Sequence, residues 1–514
     1  MKYTKGILLG LLVVLCMSVA VAADVSEDTT SDVEIQSLAD NSETSYDDVD
    51  EVSQVDTVKE DVVRLAPHVQ TTYTVNVTPS TTSVLTNITN DTTYDFSGAF
   101  TLGDLNYENL DTVVFTSSQK NAIFYNTTIT LNGEYIEVSN IEFDNLEKTG
   151  NPITINASTN AYVSDNNIKV VKNTAEETFA INVINSNTVT VADNFINETG
   201  VPQMMGWDTG VGAIKFSGIV FNDVDSSFIT NNELYIQNCS VAYPFGYSTM
   251  EAITVKGGSH GDKVQQNNIT ITGSEYIYAI SLSEFDNNID VEDNNIYLNG
   301  SNYICGIQFS SVTNSAARRN VIKGNCTSTS GSGASYEAFA YGIAVLTGTY
   351  QAPASEATGN TLESNDVTLN STVAYAYELS NADYTTISNN IATVYGNVVM
   401  ALGIYNSSYN GITGNTFTVT GNTRTLNDSI YEAIPPETTG IKIVDDGFNN
   451  TKNNVISGNK IGVTDTNSTN IYTVIIGNVV YNTTVTHNRL TGTTTGDAAV
   501  LDYGDNSVIS GNSR

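Results

Sequence analysis

Positive charge is what this chain has least of. Its 20 Lys and Arg stand against 56 Asp and Glu, for a formal net charge of −36 and a pI near 4.1. Such a field repels phosphate backbones, which excludes nucleic acid as a partner and disfavours anionic membrane surfaces. Cysteine is almost as scarce. Cys16 falls near the N-terminus, and the other three, Cys239, Cys305 and Cys326, cannot all pair within one chain. Their spacing fits no metal site, so they are expected to be buried thiols packed as small hydrophobes, with no metal or cofactor. Helical periodicity is essentially absent after Thr71, which excludes a helical bundle.

What is present begins with an address. Lys2 and Lys5 precede an apolar run, Gly6 to Val21, and a small-residue stretch, Ala20-Val21-Ala22. Residues 1–23 therefore read as a secretory signal peptide, the mature chain having no membrane span and being secreted or surface-associated. Residues 24–56 carry acidic side chains and no Lys or Arg, the composition of a disordered spacer. Residues 57–70 suit an N-terminal cap over a sheet edge.

From 71 to 514 the texture is one of short strands rich in Thr, Val, Ile and Tyr, set among 61 asparagines counted over the whole chain. A motif of the form I-x-x-N-x-[I/L/F] places asparagines at Asn166, Asn194, Asn232, Asn267, Asn294, Asn320, Asn360, Asn389, Asn415, Asn459, Asn488 and Asn512. A minimal period of about 25 residues with occasional insertions is that of a solenoid. Before each asparagine stands a small residue followed by alternating apolars, as in "AITV" (252–255), "AISL" (279–282), "GIQF" (306–309) and "GIAV" (342–345). In "VISGNKIGV" the residues Ile456 and Ile461 are an odd number apart, so both face inward only if the backbone bends between them. Asn tolerates a left-handed bend, and amides stacked about 4.8 Å apart can bond as a ladder. The expected fold is all-β, a single-stranded right-handed parallel β-helix of about 12 or more coils with an Asn ladder at one turn.

These repeats resemble the pectate-lyase-like class of parallel β-helix proteins. With the leader, spacer and Thr/Asn texture, the chain looks most like the adhesin-like surface proteins of methanogenic archaea. The polygalacturonase-like hydrolases of that class carry N-T-D, D-D, G-H-G and R-I-K in order, with carboxylates as acid and base. Here "GSHGD" (258–262) precedes "VDDG" (444–447), and neither N-T-D nor R-I-K occurs. His260, Asp262, Asp445 and Asp446 are accordingly read first as polar turns and second as catalytic candidates. Lyases of the class need acidic and basic residues together, and the basic pair Arg318-Arg319 has no carboxylate run beside it in sequence. Trp207, in an insertion, packs its loop or stacks on a sugar ring.

Sixteen N-x-[S/T] sequons include Asn76, Asn126, Asn238, Asn268, Asn325, Asn406 and Asn482, which are glycosylation sites if the host modifies exported proteins. The leading expectation is a surface protein that binds a glycan, a protein of another cell or its own cell wall through loops. The rival is a polysaccharide-active lyase or hydrolase with a site in the insertions 197–215, 326–341 or 418–439. The chain stops two residues past Asn512, so the last coil is expected to lack a cap and to leave an edge open to self-association.

Overall fold

The structure, a computed structural model, describes residues 70–145, 150–172, 178–200, 215–238, 249–273, 276–301, 303–327, 338–347, 357–422, 437–445, 451–467 and 471–514. The leader, spacer and almost all of the expected cap, together with Trp207, Cys239, Asp446 and the side chain of Asn238, lie outside the described residues. Among the described residues no helix is long and apolar enough to cross a membrane.

Each coil is built from a long strand, a short strand and a third strand, and every strand pairs in parallel with its counterpart one coil on. One run of coils shows the pattern. The long strands Thr249–Lys256, Tyr276–Ser283, Tyr303–Ser310, Phe339–Leu346, Val373–Ser380 and Val398–Tyr405 stack in register. The short strands Lys263–Gln265, Asp290–Glu292, Ala316–Arg318, Thr361–Glu363, Thr386–Ser388 and Gly411–Thr413 do the same. The third strands form a separate 14-stranded sheet. The chain is a right-handed parallel β-helix.

The core is a set of apolar columns running from coil to coil. Ile280, Ile307, Ile343, Tyr377, Leu402 and Ile441 occupy successive rungs of one column, all fully buried. Each contributes roughly 1.5–3 kcal/mol of apolar burial. The recurrent small residue ahead of this column has a steric cause. A Cβ on Gly306 would stand 2.6 Å from the carbonyl oxygen of Gly342 on the next rung, so that rung admits only glycine without a backbone shift, and other rungs carry at most the methyl of Ala252, Ala279 or Ala376.

The Asn ladder runs through Asn166, Asn194, Asn232, Asn267, Asn294, Asn320, Asn365, Asn390, Asn415, Asn459, Asn488 and Asn512. Two of the expected corners are corrected. Asn360 belongs to a second corner column, where its Oδ1 accepts the Ser315 N–H at 3.0 Å. Asn389 is the residue before the ladder position, with φ +56°. The motif misplaces both because each coil has two corners flanking the short strand, and each corner can carry an asparagine ahead of an apolar residue.

The bend itself is also reassigned. The left-handed residue is the one before the ladder asparagine, Gly458 at φ +69° before Asn459 and Asp293 at φ +56° before Asn294. Asn459 has no φ penalty to absorb. Its Nδ2 donates to Ile412 O at 2.8 Å and to Asn488 Oδ1 at 2.9 Å, while its Oδ1 accepts from the backbone and side chain of Asn415. Asparagine suits the position because its amide puts two donors and a separate two-lone-pair acceptor on one short side chain, enough for all four bonds, where a hydroxyl has a single donor.

Candidate functional site

The expected catalytic elements do not converge. "GSHGD" is a corner: Gly258 and Gly261 have φ of +83° and +70°, and His260 is exposed with Nδ1 2.5 Å from Asn287 Oδ1. Asp445 is buried at the end of its long strand, where its Oδ2 accepts the Thr451 N–H at 2.5 Å. Arg318 and Arg319 do find carboxylates, on the preceding coil rather than in their own sequence neighbourhood. Arg318 binds Asp290 at 2.7 Å and Glu292 at 3.0 Å, and Arg319 binds Asp293 at 2.9 Å. That cluster is a lateral tie between rungs.

Asp262 instead fills an asparagine's place. At the second corner Asn360 and Asn454 accept a backbone N–H from the coil before and donate through Nδ2 to a carbonyl, Val312 O or Ser407 O. Asp262 accepts the Ser227 N–H at 2.8 Å, but its Oδ2 is buried without a partner. Burial raises its carboxyl to about 8, with the charges of Asp286 and Asp225 adding and the Ser227 bond opposing. A proton on Oδ2 restores the missing donor. Asp286, one coil on, accepts N–H groups of Ser259 and Ser283 and is likewise raised to about 8 by burial.

Both folded-state values exceed the ordinary carboxylate value, so the folded chain holds protons that the unfolded chain releases. Stability is therefore expected to fall as pH rises from about 4 through 8. Asp262→Asn should flatten part of that slope and raise the melting temperature at pH 9, read by thermal denaturation across pH. An unchanged slope would mean that Asp262 is already ionised in the folded state.

The chemically distinctive ground is the outer face of the long sheet. One outward column reads Glu251, Tyr278, Cys305, Tyr341, Tyr375, Met400 on successive rungs. The next reads Thr254, Ser281, Gln308, Ala344, Glu378, Gly403, Lys442. The tyrosine rings form a continuous band. Tyr278 to Tyr303, Tyr303 to Tyr341 and Tyr341 to Tyr375 all have centroids 5.4 Å apart. Cys305 and Cys326 are free and buried, as expected of packed thiols.

Glu378 stands at the centre of this band. Burial alone raises its carboxyl to about 7. Its charge, with the larger effect of burial, pushes the phenols of Tyr341, Tyr303 and Tyr405 and the thiol of Cys305 upward. These groups are neutral donors at neutral pH. Gly403, the rung after Glu378, is glycine because the Tyr405 ring lies across it: a Cβ there would meet Tyr405 Cε2 at 2.6 Å. The Tyr405 hydroxyl then lies 3.8 Å from Met400 Sδ and hydrogen-bonds Tyr375. Lys442, two rungs from Glu378, is held by Glu437.

A carboxyl near 7 is both a competent base and a competent acid at neutral pH. Among the described residues the other carboxylates of this face, Glu251 four rungs away and Glu437 bound to Lys442, do not make a close pair with Glu378. Four rungs at about 4.8 Å is roughly 19 Å, beyond the separations of about 5 to 9.5 Å used by paired-carboxylate glycosidases. Among the described residues no group of His, Cys, Asp and Glu could hold a metal ion.

Sequence reasoning missed Glu378 and the tyrosines because they sit inside strands that also carry core residues. The available signal was the residue immediately before the recurrent small one, which is Tyr278, Cys305, Tyr341, Tyr375 and Met400 in consecutive coils. The third strands end at Gly200, Asn238, Cys326 and Gly421, and the long strands that follow the insertions begin at Lys215, Thr249, Phe339 and Thr438. The attachment points of the insertions thus border the long sheet.

Of the expected glycosylation sites, Asn76, Asn268 and Asn482 are exposed, Asn126 and Asn325 are half-buried, and Asn406 is buried and so is withdrawn as an acceptor.

The class the fold defines is the parallel β-helix. No protein-family model matches the chain, and no curated protein matches it. Among solved structures it is similar to the A-module of a mannuronan C-5 epimerase from Azotobacter vinelandii, at 15% identity over 76% of this chain and 90% of that one, with a TM-score of 0.46. It is also similar to the Dettilon tailspike protein, at 12% identity over 84% of this chain and 68% of that one, TM-score 0.37. A third is a mannuronic acid specific polysaccharide family 6 lyase from human gut microbiota, at 10% identity over 73% of this chain and 91% of that one, TM-score 0.32.

Proposed function

We propose that this chain is an exported polysaccharide-active enzyme that lays a glycan along the outer face of its long sheet and moves a proton with Glu378. The observation that carries the reading is the placement of Glu378, a carboxyl raised to about 7 amid neutral tyrosine hydroxyls. Cys305, Tyr341 and Met400 are buried within the band, and the half-buried rings of Tyr278, Tyr303, Tyr375 and Tyr405 supply the apolar surface on which a sugar ring stacks. Among the described residues Glu378 has no close carboxylate partner, so proton abstraction next to a uronate carboxyl fits better than paired-carboxylate hydrolysis. In elimination, Glu378 takes the C5 proton, the C4–O bond breaks, and a tyrosine hydroxyl such as that of Tyr405 protonates the departing oxygen. In epimerisation a tyrosine returns the proton to the opposite face. Export follows from the leader, Lys2 to Ala22.

The test incubates the purified mature chain with polymannuronate, polygalacturonate and a neutral glucan. Absorbance of an unsaturated sugar marks elimination, a changed epimer ratio by proton NMR marks epimerisation, and new reducing ends without absorbance mark hydrolysis. Tight binding with no product on any polymer would replace this reading with the second one, a glycan-binding surface protein. That alternative is favoured by the strong acidity, which supplies little to neutralise a uronate.

A further inference from the structure

At the corner that precedes each short strand, one residue per coil is left-handed. On successive rungs this column reads Asn288, Asn314, Gly359, Tyr384, Tyr409, Asn453, with φ between +50° and +70°. Asparagine and glycine suit that conformation, and a bulky aromatic does not. Two consecutive tyrosines are therefore anomalous, and neither serves the core: Tyr384 is 58% exposed and Tyr409 39%. Their rings stack face to face, with centroids 4.9 Å apart and planes 4° from parallel. Lys452 Nζ lies 5.9 Å from the Tyr409 ring and covers that end of the stack.

Among the described residues no ring stacks on the other end. The rung beyond Tyr384 belongs to Gly359, which has no side chain, and the rung after that to Asn314, whose Oδ1 would stand 2.6 Å from a Cβ on Gly359. The result is a slot at the Gly359 rung, about 4.8 Å from Tyr384, floored by a tyrosine face and backed by glycine with the Asn314 amide oxygen laid against it. The slot has the height at which Tyr409 already stacks on Tyr384, so its occupant is a ring. A ring with C–H groups on its faces and hydroxyls on its rim satisfies both the tyrosine and the Asn314 amide, whereas an aromatic ring leaves the amide without a partner.

We infer that Tyr384, Gly359 and Asn314 form a second glycan-binding site, which takes one all-equatorial hexopyranose ring of a neutral β-linked chain. The site uses neither Glu378 nor the tyrosine band, so it stands or falls apart from the catalytic reading.

Titration calorimetry with cellohexaose tests it. The mature chain should bind. Tyr384→Asn, which puts the column's usual residue at the floor, and Gly359→Asn, which fills the slot with a residue the left-handed corner accepts, should each weaken binding by roughly tenfold or more. Tyr384→Asn should keep or raise the parent's melting temperature, Gly359→Asn should lower it only slightly because the flexible Asn314 amide can swing away, and Glu378→Gln should bind as the parent does. Failure of the parent chain to bind cellohexaose, or equal affinity in both corner variants, overturns the inference.

Discussion

Glu378→Gln is expected to remove roughly a thousandfold of turnover on the responsive polymer, the range in which a positioned acid or base contributes, while leaving the affinity for that polymer nearly unchanged. Glutamine keeps the shape and the hydrogen-bonding reach and loses only the proton. The pH profile gives the sharper test. Burial raises this carboxyl to about 7, so a base role requires activity to climb as pH rises through 7 and to level off above it. An acid role gives the opposite limb. Stability has its own sign: because the folded value lies above the ordinary one, Glu378 withdraws stability as pH rises from about 4 to 7 and adds no further slope beyond. A flat rate profile across pH 5 to 9, or a Gln variant with full turnover, would remove Glu378 from the chemistry. Tyr405→Phe should lower turnover without moving the limb, since it removes a donor and leaves the burial of Glu378 in place.

Asn390→Ala is expected to cost about 3–5 kcal/mol of stability, well above the usual range for a polar truncation. Asn390 accepts the Asn365 N–H at 2.8 Å and its Nδ2 at 3.0 Å, and donates to Leu362 O at 2.8 Å and Asn415 Oδ1 at 3.0 Å. Alanine leaves the Asn365 backbone N–H buried without its acceptor and removes one bond each from the Leu362 carbonyl, the Asn365 Nδ2 and the Asn415 Oδ1. Because each coil touches only its neighbours, the loss should appear in hydrogen exchange as an opening centred on residues 362–415, with distant coils still protected. Asn390→Asp makes a finer measurement. A protonated carboxyl can donate where the amide did, as at Asp262, so this variant should approach the parent at acidic pH and fall away as pH rises. Uniform loss of protection along the whole chain would contradict the nearest-neighbour account.

Much of the architecture was legible because it is written as a period. The gap between Ile456 and Ile461 demanded a bend, and the small residues ahead of each apolar run marked a point where the next coil's carbonyl intrudes, as at Gly306. What the period could not separate was the division of labour within a corner. Gly458 takes the φ and Asn459 takes the hydrogen bonds, and in sequence the two are adjacent letters. Asn360 and Asn389 were misassigned because either corner of a coil accepts an asparagine.

The candidate site was harder to read. An outward Tyr341 and an inward Tyr377 look alike in a strand until register fixes which face each occupies. His260 and Asp262 drew attention as chemically rich letters, yet one caps a turn and the other imitates an amide. Arg318 and Arg319 seemed isolated because their carboxylates lie a full coil earlier in the chain.

The ladder also makes the molecule a ruler graduated in whole coils. From Asn390 to Asn415 is 25 residues, and every bond made by one is remade by the other. Excising residues 391–415 should therefore join Asn390 directly to Asn459 and shorten the stack by one graduation without opening it. Lengths between sites on this scaffold change only in integer steps, so losing or duplicating a coil would move Glu378 by a whole rung relative to every site beyond the change, with no intermediate spacing available.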